Sequence, residues 1–169
     1  FKMANEFEDA VARTLAAEGL PAQTLEIELT ESAIMTAAQV HDDVLQRMRT
    51  SGLKFAIDDF GTGYSSLAYL RRFRIDRLKI AQEFVKLILV DPGSATIVRA
   101  TIALAKELGM VAIAEGVESV GQLLLLKSWS CPQVQGYYYS APLGPEEVAV
   151  LLRQGVIVPM QQPVVAAVG

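Results

Sequence analysis

The sequence predicts an α/β fold: parallel strands arranged as in a TIM-like (β/α)8 barrel, with about five βα units present. Three observations carry this expectation. From residue 24 onward, stretches of period-2 hydrophobicity alternate five times with stretches of helical period. That alternation calls for parallel strands joined by helical crossovers. Each predicted strand also carries a charged or amide side chain at or near its carboxyl end: Glu28, then Asp58 and Asp59, then Lys79, Glu115 and Gln135. In a barrel those ends meet at one mouth, where barrel enzymes keep their chemistry, whereas an open doubly wound sheet gathers only two or three of them. The third observation is length, which stands against a complete barrel: 169 residues against the roughly 250 that one typically takes, so the expected barrel is incomplete.

The elements follow in order. Residues 6–19 space their apolar positions as a helix does, and Gly19 with Pro21 ends it. Residues 24–29 alternate apolar and acidic, so Glu26 and Glu28 share one face of a strand. A helix is predicted over 36–50, closed by Gly52, and then a strand over 53–57. Helix signals return over 65–73, followed by a short strand over 77–80 and a long helix over 94–108 ended by Gly109. A strand over 110–114, a helix over 119–128, a strand over 133–136 and a helix over 145–154 complete the pattern. Residues 1–155 read as one unit and 156–169 as a frayed C-terminal tail.

Composition excludes several classes of chemistry. The chain is 51% hydrophobic, enough for one packed domain, and its formal net charge of -4 argues against long nucleic acid as a partner. Cys131 is the only cysteine, so no internal disulfide forms, and His41 is the only histidine, so no multi-histidine zinc site exists within the chain. No stretch approaches the roughly 18 apolar residues of a membrane span, and the start of the chain does not read as a signal peptide. The expected setting is cytoplasmic, with no direct membrane insertion. Hydrolytic chemistry here must run on carboxylates, lysine and bound metal.

Asp58-Asp59 is the sharpest feature. Neighbouring carboxylates raise each other's pKa unless a cation lies between them. One or two Mg²⁺ or Mn²⁺ ions suit all-oxygen ligands, and Glu28 and Glu115 in matching positions favour that reading over a helix cap facing solvent. Lys79 reads either as a snorkelling surface lysine or as a cation that holds a water or phosphate oxygen beside the metals. The run Gly61-Thr-Gly-Tyr-Ser-Ser departs from the dinucleotide fingerprint at Ser66 and reads as a tight turn leading into a helix. The tyrosines at 137–139 are able to stack on a base but are more often packing residues. His41, Trp129 and Cys131 read as surface or packing residues.

Taken together, Glu28-Leu-Thr-Glu, Asp58-Asp-Phe-Gly-Thr-Gly-Tyr-Ser-Ser-Leu, Leu78-Lys-Ile, Ala114-Glu-Gly-Val-Glu and Gln135-Gly-Tyr with Pro142 after it resemble the EAL domain in order and spacing. That family comprises phosphodiesterases and receptors of the bacterial second messenger cyclic di-GMP. The resemblance covers residues 1–154 and implies a modified (β/α)8 barrel in which two Mg²⁺ or Mn²⁺ ions activate water to open the cyclic dinucleotide to the linear product. By motif, it implies that Glu28 and Asp58 bind a first metal and that Asp58, Asp59 and Glu115 bind a second. It makes Lys79 and Gln135 positioners of the attacking water, with Glu115 a candidate general base. Glu31 is implied as the anchor of the Asp59–Ser66 loop, a segment that serves dimer contacts and regulation, and Tyr137 and Pro142 as substrate-binding residues.

The sequence departs from that pattern at three points. The Glu-Ala-Leu motif is absent, and so is the asparagine on the following strand, so the resemblance implies that the first two or three strands, at the N-terminal side of the barrel, are missing. The first-metal site is therefore expected to lack two ligands, and exposed strand edges are expected to invite a swapped or intertwined homodimer. Ala81 stands where the family usually has aspartate. Hydrolysis of cyclic di-GMP, impaired in this truncated chain, is the expected function, and a catalytically silent cyclic di-GMP-binding or regulatory module is the alternative. A different metal-dependent barrel enzyme is a third. A longer parent protein would have room for a membrane tether in its additional segments.

Overall fold

The computed structural model describes residues 2–34, 42–63, 70, 73 and 75–155. Helix α1 (Lys2–Glu18) is followed by a 3₁₀ turn at Ala22–Thr24 and strand β1 (Glu26–Thr30). Next come α2 (Asp42–Thr50), β2 (Lys54–Phe60), β3 (Arg77–Ile80) and the short helix α3 (Gln82–Leu87). The chain continues through α4 (Pro92–Glu107), β4 (Val111–Ala114), α5 (Val120–Ser128), β5 (Gln133–Val134) and α6 (Pro145–Gln154). The strands form one sheet in the order β1-β2-β3-β4-β5, with every neighbouring pair parallel. This is the expected parallel α/β architecture, a partial TIM-like barrel.

Most predicted elements stand within a few residues of their expected limits. Strand β2 runs to Phe60 rather than stopping at 57, so Asp58 and Asp59 lie inside it. Strand β5 stops at Val134, which corrects the expectation that Gln135 sits within the fifth strand: it follows the strand instead. The sequence pattern does not predict helix α3, because six residues are too few for a helical period to show. The predicted helix over 65–73, the first residues of the 36–50 helix, His41 and the tail at 156–169 fall wholly or mainly outside the described residues.

The strands separate two environments. Phe55, Ile57, Leu78, Ile80, Ala112 and Ala114 are buried in a core with Val85, Val98, Ile102 and Leu126 from the helices. Strand alternation then sends Glu26, Glu28, Lys54, Ala56, Asp58, Arg77 and Lys79 to the opposite face. At the amino end of the strands, Arg77 pairs with Glu26 at 3.3 Å and Arg49 with Asp76 at 3.6 Å. Asp76 also accepts from the Phe55 N–H at 2.9 Å, so ion pairs and this hydrogen bond tie the strand starts together.

Capping fixes the helices that flank the carboxyl end. Asp91 caps α4 by accepting from the N–H groups of Gly93 and Ser94 and from the Ser94 hydroxyl. Hydrogen bonds from Ser94 hold its carboxyl below the usual carboxylate range. At α5, the buried Gln122 accepts from the N–H groups of Glu118 and Ser119 at 2.8 and 2.9 Å and donates to the Val85 carbonyl at 3.2 Å. One side chain thus ties α3, α5 and the loop after Glu115 together. Gln122→Leu removes the acceptor for two N–H groups and is expected to destabilise the chain by about 2–3 kcal/mol. Urea denaturation checks this, and a loss under about 1 kcal/mol would contradict the bridging role.

Candidate functional site

The site begins with a break in strand alternation. Adjacent residues of a regular strand point to opposite faces, so Asp58 and Asp59 should diverge. Instead, the β2–β3 register shifts between Ile57 and Phe60, and Asp59 adopts φ +52°. Aspartate enters this left-handed region more readily than bulkier residues do, and bulges commonly re-aim side chains beside functional sites. As a result Asp58, Asp59 and Glu115 offer carboxylate oxygens that all lie within 4.8 Å of one another. Phe60 then returns to the core. Gly61, at φ +102°, turns the chain away, and a Cβ there would sit 3.1 Å from the Phe84 ring.

Lys79 lies among these carboxylates. Its Nζ is 2.7 Å from Glu28 Oε2, 2.8 Å from Asp58 Oδ1 and 2.9 Å from Glu115 Oε1. The side chain is only 8% exposed, which removes the reading of a snorkelling surface lysine. On β2, the residue level with Glu28 is the small Ala56. Burial pulls the Lys79 pKa down, but hydrogen bonds to Asp58, Glu28 and Glu115 outweigh burial and raise it, so the ammonium stays charged. Glu115 shifts upward: burial is the main cause, Lys79 opposes it, and repulsion from Asp58 and Glu28 adds to it.

These donors fit a divalent cation. All are carboxylate oxygens, the set preferred by Mg²⁺ and Mn²⁺. Among the described residues, a single buried ammonium relieves their mutual repulsion. Glu28 lies outside the three-carboxylate group and joins it through Lys79.

The other predicted residues divide. Glu31 directly follows β1 and is buried, and a Cβ on Gly63 would lie 3.3 Å from its carboxylate, so Glu31 sits beneath the start of the loop after Asp59. Gln135 and Tyr137 share with Glu115 a cavity of about 300 Å³, which Gln82, Lys86, Gly116, Glu118 and Gly136 also line. Pro142 is exposed and is not among those lining residues. Tyr138 packs against the core and meets Tyr139 edge to face at 5.4 Å. Sequence reasoning missed Gln82, Lys86 and Glu118 as cavity residues. The available signal for Glu118 was its place in the Ala114-Glu-Gly-Val-Glu run, whereas Gln82 and Lys86 depend on α3, which leaves no periodic signal.

Backbone contacts hold the wall of this cavity. Gln135 donates to the Ala114 carbonyl at 2.9 Å, and Val117 donates back to the Gln135 carbonyl at 3.0 Å. Gly136 packs so closely that a Cβ would fall on the backbone N and O of Val117. Gly136→Ala is therefore expected to separate these segments, at a cost of about 3 kcal/mol, measurable by chemical denaturation. A variant within about 0.5 kcal/mol of the parent would show that the contact yields easily.

Fold and site together define a parallel α/β protein with an acidic, metal-suited centre at the carboxyl ends of its strands. The family model for the EAL domain matches residues 2–142, and the chain belongs to that family. It is 44% identical over 135 residues to the cyclic di-GMP phosphodiesterase NbdA of Pseudomonas aeruginosa, covering 80% of this chain and 17% of NbdA. Among solved structures it is similar to the MucR phosphodiesterase of Pseudomonas aeruginosa in complex with c-di-GMP, at TM-score 0.79 and 36% identity, covering 83% of this chain and 57% of that one. It is also similar to Klebsiella pneumoniae BlrP1 in a manganese and cyclic di-GMP complex, at TM-score 0.73 and 35% identity, covering 79% of this chain and 34% of that one. The chain spans under a fifth of the length of NbdA.

Proposed function

We propose that this chain carries the metal-binding and water-positioning part of a cyclic di-GMP phosphodiesterase. The observation that supports it most directly is the convergence of Asp58, Asp59 and Glu115 within 4.8 Å beside the buried Lys79. Residues 1–155 are the EAL unit in this reading, with 156–169 as its tail. Asp58, Asp59 and Glu115 hold Mg²⁺ or Mn²⁺, and Glu28 contributes to a first-metal site that is incomplete. Bound metal supplies Lewis-acid polarisation of the phosphodiester and lowers the pKa of the attacking water.

The chain's own residues do the rest. Glu115 accepts the proton of the attacking water, and Lys79 and Gln135 orient that water toward phosphorus. Tyr137, exposed at the rim of the 300 Å³ cavity, offers a face on which a guanine base stacks. Glu31 steadies the loop that positions Asp58 and Asp59. Strands β1 and β5 are each paired on one side only among the described strands, and a swapped or intertwined homodimer would cover those edges.

A second reading has its own observation. Ala81 is 1% exposed at the start of α3 and makes no side-chain cap, where the family resemblance leads one to expect aspartate. A site lacking that carboxylate supports a module that binds cyclic di-GMP without opening it. Incubation with cyclic di-GMP and Mn²⁺, with the linear product followed by chromatography, tests both readings. Turnover that falls at least roughly a hundredfold in Asp58→Asn supports the phosphodiesterase. Binding without turnover, in protein shown to be folded, supports the module. If the chain shows neither binding nor turnover, the binding module is refuted, and the phosphodiesterase reading is then refuted if joining an upstream segment that contains Glu-Ala-Leu fails to restore hydrolysis.

A further inference from the structure

Lys79 does more than the water-positioning role requires. It bridges three carboxylates that belong to three different strands, β1, β2 and the end of β4, at 2.7, 2.8 and 2.9 Å. Two of the three, Asp58 and Glu115, are also members of the carboxylate group suited to a divalent ion. The ammonium and the metal therefore draw on the same oxygens. Four carboxylates, Glu28, Asp58, Asp59 and Glu115, are gathered around one lysine, a formal ratio of four acids to one base. The lysine relieves their repulsion only in part, and a large attraction for added cation remains.

We infer that Lys79 is a built-in stand-in for the metal: its ammonium holds the carboxylates together in the metal-free chain and must yield Asp58 and Glu115 when a divalent cation enters. The inference rests on the metal reading above and deepens it. Lys79 acts here as a positioning residue with two opposed effects, since it stabilises the metal-free fold and lowers the affinity for the metal. A purely structural lysine has a different signature. If Lys79 only kept the carboxylates in place, its removal would weaken metal binding. If it competes with the metal, removal strengthens binding, because a like charge is taken away a few ångströms from the incoming ion.

The sign of the change in affinity is thus the test. Mn²⁺ binding is measured by calorimetry on the parent chain and on Lys79→Met, and thermal unfolding is followed in chelator and in Mn²⁺. Competition predicts a Lys79→Met chain with a lower midpoint in chelator, a larger Mn²⁺-induced rise, and Mn²⁺ affinity at least roughly tenfold tighter. A variant that folds only when Mn²⁺ is present supports the inference more strongly still. Equal or weaker Mn²⁺ binding by a folded Lys79→Met overturns the inference and leaves the metal reading standing. No Mn²⁺ binding by the parent chain overturns both. A second measurement needs no loss of the lysine in the protein observed: nitrogen-detected NMR of side-chain ammonium groups, with Lys79 assigned by its absence in Lys79→Arg. In the metal-free parent, the Lys79 signal is expected to be protected from exchange and to move or vanish on adding Mg²⁺. A signal that Mg²⁺ leaves unchanged also overturns the inference.

Discussion

The structure depends on holding carboxylates close together at the carboxyl end of the sheet. Like charges at such distances repel, and the repulsion grows as water is excluded. The fold answers with a lysine on the central strand of the five, buried and in contact with acids from both sides. Parallel pairing makes this possible, because it brings the same end of every strand to the same level. The β1–β2–β3 register then places Glu28, Ala56 and Arg77 in one row, one step below Asp58 and Lys79.

The bulge at Asp58-Asp59 is the second requirement. Without it, one aspartate would point into the apolar core beside Ile57 and Leu78, where an unpaired carboxylate is prohibitively unfavourable. With it, both acids remain on the polar side, and Phe60 resumes the core position that the pattern would otherwise lose. The positive φ at Asp59 is a local strain that the surrounding strands and the following Gly61 sustain. Such strain is tolerated where an arrangement of groups depends on it, and here the arrangement is the triple of Asp58, Asp59 and Glu115.

Much of this was legible in the sequence, and the gaps have physical causes. The repeated switch between periods of 2 and 3.6 pointed to the parallel class, because strands and helices bury their faces at different spacings. Position at a strand end identified Glu28, Asp58, Asp59, Lys79 and Glu115, since parallel strands turn a sequence register into a spatial cluster. What periodicity does not encode is a one-residue irregularity: nothing in the spacing around Asp58 shows that alternation fails there. Contacts between separate elements were equally out of reach. The burial of Lys79 depends on acids 51 residues before it and 36 after it. The place of Gln82 and Lys86 in the cavity depends on a helix too short to leave a pattern.

The two ends of the sheet differ in how their charges balance. At the amino end bases are not in deficit: Arg77 pairs with Glu26 and Arg49 with Asp76, and Lys54 lies level with Glu26. Closed pairs of that kind ask for nothing further, and they fit an end that serves stability. At the carboxyl end, four acids meet one lysine, although the same alternation of residue types had room for another base. Ile113, level with Lys79 on the neighbouring strand, occupies a position on the polar face from which a second lysine or arginine would move the centre toward balance. A chain shaped for stability alone would gain by such a replacement, since an uncompensated cluster lowers stability wherever it stands. The deficit of positive charge at this end alone supports the proposed cation site, because the acids that Lys79 holds together are left with charge that a cation would balance.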